Sequence, residues 1–206
     1  MEQMSHYLDF VPPAEAINGL ALTYMSALFV ELHKARVRSN DAYPVDFPEF
    51  LREKMSIGRK IRVFGSKEGL KNLLMWPSIA NLINGEMIEY RGIYVTPHTD
   101  CFVINTRKNT GTKISSERQR EKKLERLKAH YARKGFEWTQ EFESKILDDW
   151  EEWSFDELAE FISVHSDSSK MSFKLYINRV PSERAGSSFN GYGLALNNEG
   201  SVPSFL

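Results

Sequence analysis

The chain has 206 residues, 41% hydrophobic and 27% charged, with a formal net charge of −1 and one cysteine. That composition belongs to a globular protein with room for one large domain or two small ones, and it excludes a disordered chain, a disulfide scaffold and a helical membrane protein. No Cys/His cluster has the spacing of a zinc site, so neither a metal nor a cofactor is expected, and MEQMSHYLDF lacks the basic and apolar regions of a secretory signal, which predicts a cytoplasmic protein.

His6 to Phe10 reads as a short strand closed by Val11-Pro12-Pro13, because consecutive prolines remove ladder donors. From about Leu20 to Val37, Leu22, Met25, Leu28, Phe29 and Leu32 recur at helical spacing, with His33 near the C-terminal end, one residue past the last core position. Tyr43–Phe47 and Lys60–Phe64 read as strands, the second alternating Ile61 and Val63 with Arg62 and Phe64 in an edge-like or half-buried pattern. Ser66 can cap a helix containing Leu70, Leu73 and Leu74, which Trp76-Pro77 interrupts before a strand from Met87 to Val95.

This βαββαβ order predicts an α+β protein. Residues 1–98 form a ferredoxin-like domain of the kind RNA-recognition motifs use, and residues 99–206 a smaller α/β part carrying a basic RNA-binding loop and helix at 105–135. The first domain lacks aromatic-rich RNA-binding strand motifs, so its sheet is expected to be a scaffold. Cys101–Ile104 reads as a further strand leading into the polar, basic loop Asn105 to Lys113.

Ser116 to Lys134 reads as one helix, with Ser116 and Gln119 at capping-box spacing and Gly135 at its end. At about 100° per residue, Arg118, Lys122, Lys123, Arg126, His130, Arg133 and Lys134 share an arc of roughly 160°. Leu124, Leu127 and Tyr131 form an apolar stripe beside it, and Glu117, Glu121 and Glu125 take the remaining side. Charges sorted in this way suit a polyanion lying along one face, which an evenly solvated helix of Glu–Lys pairs would not require. The near-zero net charge hides this segregation, because Glu141 to Glu160 holds nine acidic residues against Lys145.

That acidic stretch reads as an amphipathic helix whose stripe is Phe142, Ile146, Trp150 and Trp153, packed as structure or docked on a partner protein. Phe161–Val164 and Met171–Ile177 are the last strands expected. A glycine-rich tail, Gly191-Tyr192-Gly193, turns closely and ends in an apolar Val202-Pro203-Ser204-Phe205-Leu206 expected to pack on the body.

Several short motifs occur in a telling order: His6-Tyr7-Leu8-Asp9, Leu32-His33, Phe47-Pro48, Ile57-Gly58 before Arg62-Val63, the basic helix, Ser166, Phe173-Lys174-Leu175-Tyr176-Ile177, Tyr192-Gly193-Leu194 and Val202-Pro203. In order and spacing, nearly end to end, they resemble the CRISPR-associated RNA-processing endoribonucleases of type I-F systems. The resemblance implies metal-independent cleavage of precursor CRISPR RNA at the base of the repeat hairpin, by attack of a ribose 2′-hydroxyl on its own 3′-phosphate. It implies His33 as general base, Ser166 as the group positioning the ribose and Tyr192 as support for the histidine. It also implies Arg107 and Asn109 as loop readers of hairpin bases, Phe173 as an aromatic stacked on the closing base pair, and the basic helix, with Lys113 before it, in the major groove.

The implied partners are the repeat RNA hairpin and the other protein subunits of the type I-F guide RNA surveillance complex, with a monomer expected when free. Two departures stand out. Asn109 takes the place of a longer glutamine, and the helix mixes lysines and glutamates where better-known members are almost purely arginine, a pattern closer to divergent members serving transposon-encoded systems. An alternative reading is a non-catalytic hairpin-binding subunit of the same complex, and a third is an interaction module acting through its acidic helix.

Overall fold

The computed structural model describes residues 4–39, 43–52, 56–108, 117–152, 160–165 and 172–205. Residues Met1–Lys108 with Leu158–Leu206 form one compact unit, and Asn109–Glu157 a second.

In the first unit, β1 (His6–Val11), α1 (Asn18–Ser39), β2 (Val45–Asp46), β3 (Ile61–Gly65), α2 (Lys67–Leu74), α3 (Pro77–Asn84) and β4 (Glu89–Tyr90) follow the expected βαββαβ order, except that a second helix, α3, follows the interruption at Trp76-Pro77. The sheet runs β2-β3-β1-β4, with the described pairs antiparallel, and this is the ferredoxin-like arrangement. Local chemistry sets the helix starts. The Ser66 hydroxyl accepts from Gly69 N at 3.0 Å, and Pro77, whose missing N–H costs nothing at a first helical turn, opens α3.

Two expectations for this sheet are corrected. The strand expected over Met87–Val95 is two short ones, β4 and β5 (Tyr94–Val95), both paired to β1, with Gly92 at φ 59° between them. β3 is no edge: it lies between β2 and β1 with every residue buried. Arg62 tolerates that burial because its Nε and Nη2 donate to the two carboxylate oxygens of Asp9 at 2.7 and 2.9 Å, while Nη1 donates to Phe205 O at 2.8 Å.

The second sheet of this unit runs β7-β8-β6-β10-β9, from β6 (Phe102–Lys108), β7 (Ile162–His165), β8 (Ser172–Ser182), β9 (Gly186–Phe189) and β10 (Ala195–Pro203). The tail, expected to lack strands, supplies β9 and β10, which pair with each other across a bulge, and β10 continues onto β6. Phe205 then packs on Tyr7 and Phe64, so the apolar end does pack on the body. β6 runs on to Lys108, so the start of the expected basic loop is strand.

One core joins both sheets. Met25, Leu28, Phe29 and Leu32 of α1 are buried with Leu8, Val63, Ile162, Val164, Leu175 and Ile177. α1 is therefore apolar on the side facing β7 and α3, and burying each such side chain stabilises by about 1.5–3 kcal/mol. Asp46, fully buried, links the sheets by accepting from Arg179 Nε at 2.8 Å and Asn105 Nδ2 at 3.0 Å.

The second unit contains α4 (Glu117–Arg133) and α5 (Gln140–Glu152). Gly135, at φ 75°, ends α4 as expected, with Phe136 N donating back to Tyr131 O at 3.1 Å. No described helix is long and apolar enough to cross a membrane.

Candidate active site and nucleic-acid face

α1 presents Phe29 and His33 one turn apart on the side where the β9–β10 turn returns. The Tyr192 ring lies parallel to both, 4.1 Å from His33 at 17° and 5.8 Å from Phe29 at 2° between centroids and planes. Phe173 meets the same ring edge-on at 6.5 Å. Half-buried His33 lies within the helix, which runs six residues further, and not at its end.

The proton on His33 follows from its partner. Nδ1 is 2.6 Å from Gly191 O, and since a carbonyl can only accept, Nδ1 carries the hydrogen. Nε2 then keeps its lone pair in the neutral ring, which is what a proton acceptor needs. The approach leaves little room for a side chain, since a Cβ at position 191 would stand 3.0 Å from His33 Cε1 and the ring would have to give way slightly. Gly193 is the position that does require glycine, because it sits at φ +73° and a Cβ there would clash with the Tyr43 carbonyl oxygen.

Burial raises the pKa of the Tyr192 phenol, against the opposing pull of the Arg107 charge, so the phenol stays protonated and can act as a hydrogen-bond donor. Arg107 lies on β6 and not in a loop, with its guanidinium 5.1 Å from the Phe173 ring centroid. The two side chains make one surface, a ring with a cation over it.

The structure thus brings together four candidates, His33, Tyr192, Phe173 and Arg107. Ser166, Asn109 and Lys113 lie outside the described residues. The strands flanking Ser166 end at His165 and resume at Ser172, which are register partners. Among the described residues no group of three or more His, Cys, Asp or Glu side chains is placed to hold a metal ion.

In the second unit, Lys122, Arg126, His130 and Arg133 are exposed, while Leu124, Leu127 and Tyr131 are half-buried. Tyr131 is the hub of a small aromatic cluster, edge-on to Phe136, Trp138 and Phe142 at 5.2–6.1 Å. Lys128, off the basic arc, is drawn to α5 by Glu143 at 2.7 Å, and that contact, with the Trp138 indole N–H, lowers the pKa of the Glu143 carboxyl. The acidic helix is thereby joined to the apolar side of α4, and the basic face stays open. Arg118 and Lys123 belong to α4.

Sequence reasoning did not find the Gly191 carbonyl as the partner of His33, nor Asn190, whose Oδ1 accepts from Tyr192 N at 2.8 Å. Asn before Gly is an ordinary turn signal, so nothing local marks it as part of a site.

The first unit is a ferredoxin-like α+β body holding a stacked histidine with one ring nitrogen free, and the second unit carries a helix with one basic face. A family model described as CRISPR-associated protein (Cas_Csy4) matches residues 12–205, and the chain belongs to that family. It is 28% identical over 216 residues to the CRISPR-associated endonuclease Cas6/Csy4 of Pseudomonas aeruginosa (strain UCBPP-PA14), an alignment covering 98% of this chain and 100% of that protein.

Proposed function

We propose that the chain is a metal-independent endoribonuclease of a type I-F system that cleaves precursor CRISPR RNA at the base of the repeat hairpin and stays on the product as a subunit of the guide RNA complex. The observation that carries this reading is the 2.6 Å hydrogen bond from His33 Nδ1 to Gly191 O, which leaves Nε2 as a lone-pair acceptor in a ring stacked on Tyr192.

A ribose 2′-hydroxyl is already tethered beside the phosphorus, so the protein has to remove one proton and hold an in-line geometry. The 2′-O–H proton passes to His33 Nε2 as the 2′-oxygen bonds to phosphorus. The P–O5′ bond breaks, the departing 5′-oxygen takes up a proton from water, and the His33 imidazolium returns to solvent the proton it accepted. The products are a 2′,3′-cyclic phosphate and a 5′-hydroxyl. Ser166 positions the ribose and Tyr192 holds the imidazole plane. Phe173 and Arg107 present a stacking and hydrogen-bonding surface to the hairpin, with Asn109 beside them in the sequence, while Lys113, Arg118, Lys122, Lys123, Arg126, His130 and Arg133 follow its phosphates.

Purified protein incubated with its own repeat RNA in EDTA is expected to cut once per hairpin and leave a 2′,3′-cyclic phosphate end. A shift of the RNA without any cut would make the chain a hairpin-binding subunit only. Arg107→Ala is expected to lose about 1–3 kcal/mol of affinity for the cognate hairpin and little for a scrambled one, as a guanine-reading arginine does. Equal losses on both hairpins, measured by titration, would make Arg107 a phosphate contact.

A further inference from the structure

The turn that carries Tyr192 is tied to α1 at two points one helical turn apart. His33 Nδ1 donates to Gly191 O at 2.6 Å, and Arg36 Nη2 donates to Phe189 O at 2.8 Å. Asn190, between those two carbonyls, closes the turn from within. Its Oδ1 accepts from Tyr192 N at 2.8 Å and Leu194 N at 3.3 Å, its N–H donates to Leu194 O at 2.8 Å, and its carbonyl accepts from Gly193 N at 2.9 Å.

Arg36 is an expensive residue for the task of packing. Its Nη1 is buried with no hydrogen-bond partner, and no carboxylate among the described residues pairs with it. Burial lowers its pKa. Arg36 is half-buried as a whole, but a guanidinium nitrogen buried without a partner costs free energy that an apolar side chain of similar length would not. What the guanidinium provides and an apolar chain cannot is the donor to Phe189 O, which anchors the strand end feeding the turn.

We propose that Arg36 and Asn190 are positioning residues: together they hold the Gly191 carbonyl against His33 so that the neutral imidazole keeps its proton on Nδ1 and its lone pair on Nε2. The proposal rests on the reading of His33 as the base, and it explains why that base needs a turn from a distant part of the chain. The hydrogen bond made by one ring nitrogen sets the state of the other. A turn free to drift would let the ring take the opposite tautomer, with a hydrogen where the 2′-hydroxyl proton must go.

The test joins single-turnover cutting of saturating repeat hairpin with ring-nitrogen NMR of the RNA-free, full-length protein, for wild type, Asn190→Ala, Asn190→Asp and Arg36→Met. Wild-type His33 is expected to show a protonated Nδ1 and an acceptor-type Nε2. Asn190→Ala and Arg36→Met are expected to move the ring toward a mixture of tautomers and to cut about tenfold or more slowly, with hairpin affinity kept within about threefold. Asn190→Asp, which retains the accepting oxygen, is expected to stay within about threefold of wild type in rate and to keep the wild-type tautomer.

Wild-type His33 carrying its neutral-state proton on Nε2 would overturn the proposal before any variant is made, and so decides it even where Asn190→Ala does not fold. Slow cutting with an unchanged tautomer would overturn it too, as the signature of a general structural loss. Because the NMR readout needs no RNA, a wild-type chain that fails to cut would sink the endoribonuclease reading and leave the tautomer to decide this one.

Discussion

His33→Ala is expected to abolish hairpin cleavage while hairpin affinity stays within about threefold of wild type. A positioned proton acceptor contributes about 10²–10⁴-fold to rate through the transition state and little to ground-state binding. The substitution alters none of the cationic side chains of α4. It does remove one ring from the Phe29, Tyr192 and His33 stack, so His33→Asn, which keeps a polar planar group beside Tyr192, is the companion variant and is expected to be equally inactive. Single-turnover rates with hairpin titrations check both variants, and wild-type cutting by either one removes His33 from the mechanism.

The second large effect concerns the side of α4 that faces RNA. Arg126→Glu places a carboxylate in the middle of an exposed basic arc, where it loses a favourable contact and repels a phosphate, and is expected to weaken hairpin binding about tenfold or more at moderate salt. Glu121→Lys changes charge by the same amount with opposite sign, but lies about 140° around the axis from Arg126, on the side away from the arc, and is expected to change affinity less than about threefold. Both side chains are exposed and neither joins the aromatic cluster on Tyr131, so both variants should fold normally. Titration of each against one hairpin at several salt concentrations gives the comparison. If Glu121→Lys strengthened binding as much as Arg126→Glu weakened it, the helix would act through net charge alone and the groove-facing model would fail.

The elements that were legible in the sequence are those whose causes are local. Leu22, Met25, Leu28, Phe29 and Leu32 mark α1 because 3.6-residue periodicity puts them on one side, and Ser66, Pro77 and Gly135 mark helix ends because each meets a backbone requirement within a few residues. The charge sorting on α4 is local in the same sense: residue spacing alone decides which side chains share an arc. β9 and β10 were not legible, since a strand that opens on Gly186 and a polar one broken by Gly200 carry no apolar alternation and exist because β6 offers an edge. Arg62 looked half-exposed for a similar reason, as a charge in a strand reads as solvent-facing until Asp9 is known to oppose it.

By itself, then, the sequence determined the α+β order, the span of α1, the start of α2, the end of α4 and the sorting of its charges, and it supplied the histidine and the tyrosine, while the expected Ser116 cap and Trp153 lie outside the described residues. Only the tertiary structure decided that these two stack and which nitrogen of His33 is free. Gly191 lies 158 positions along the chain from His33, and the hydrogen bond between them forms because β10, paired with β6 and β9, returns the turn to α1. Periodicity carries information over a turn or two of helix. A side chain's partner across the fold is set by how sheets and helices pack, and the chemistry of His33 depends on that partner.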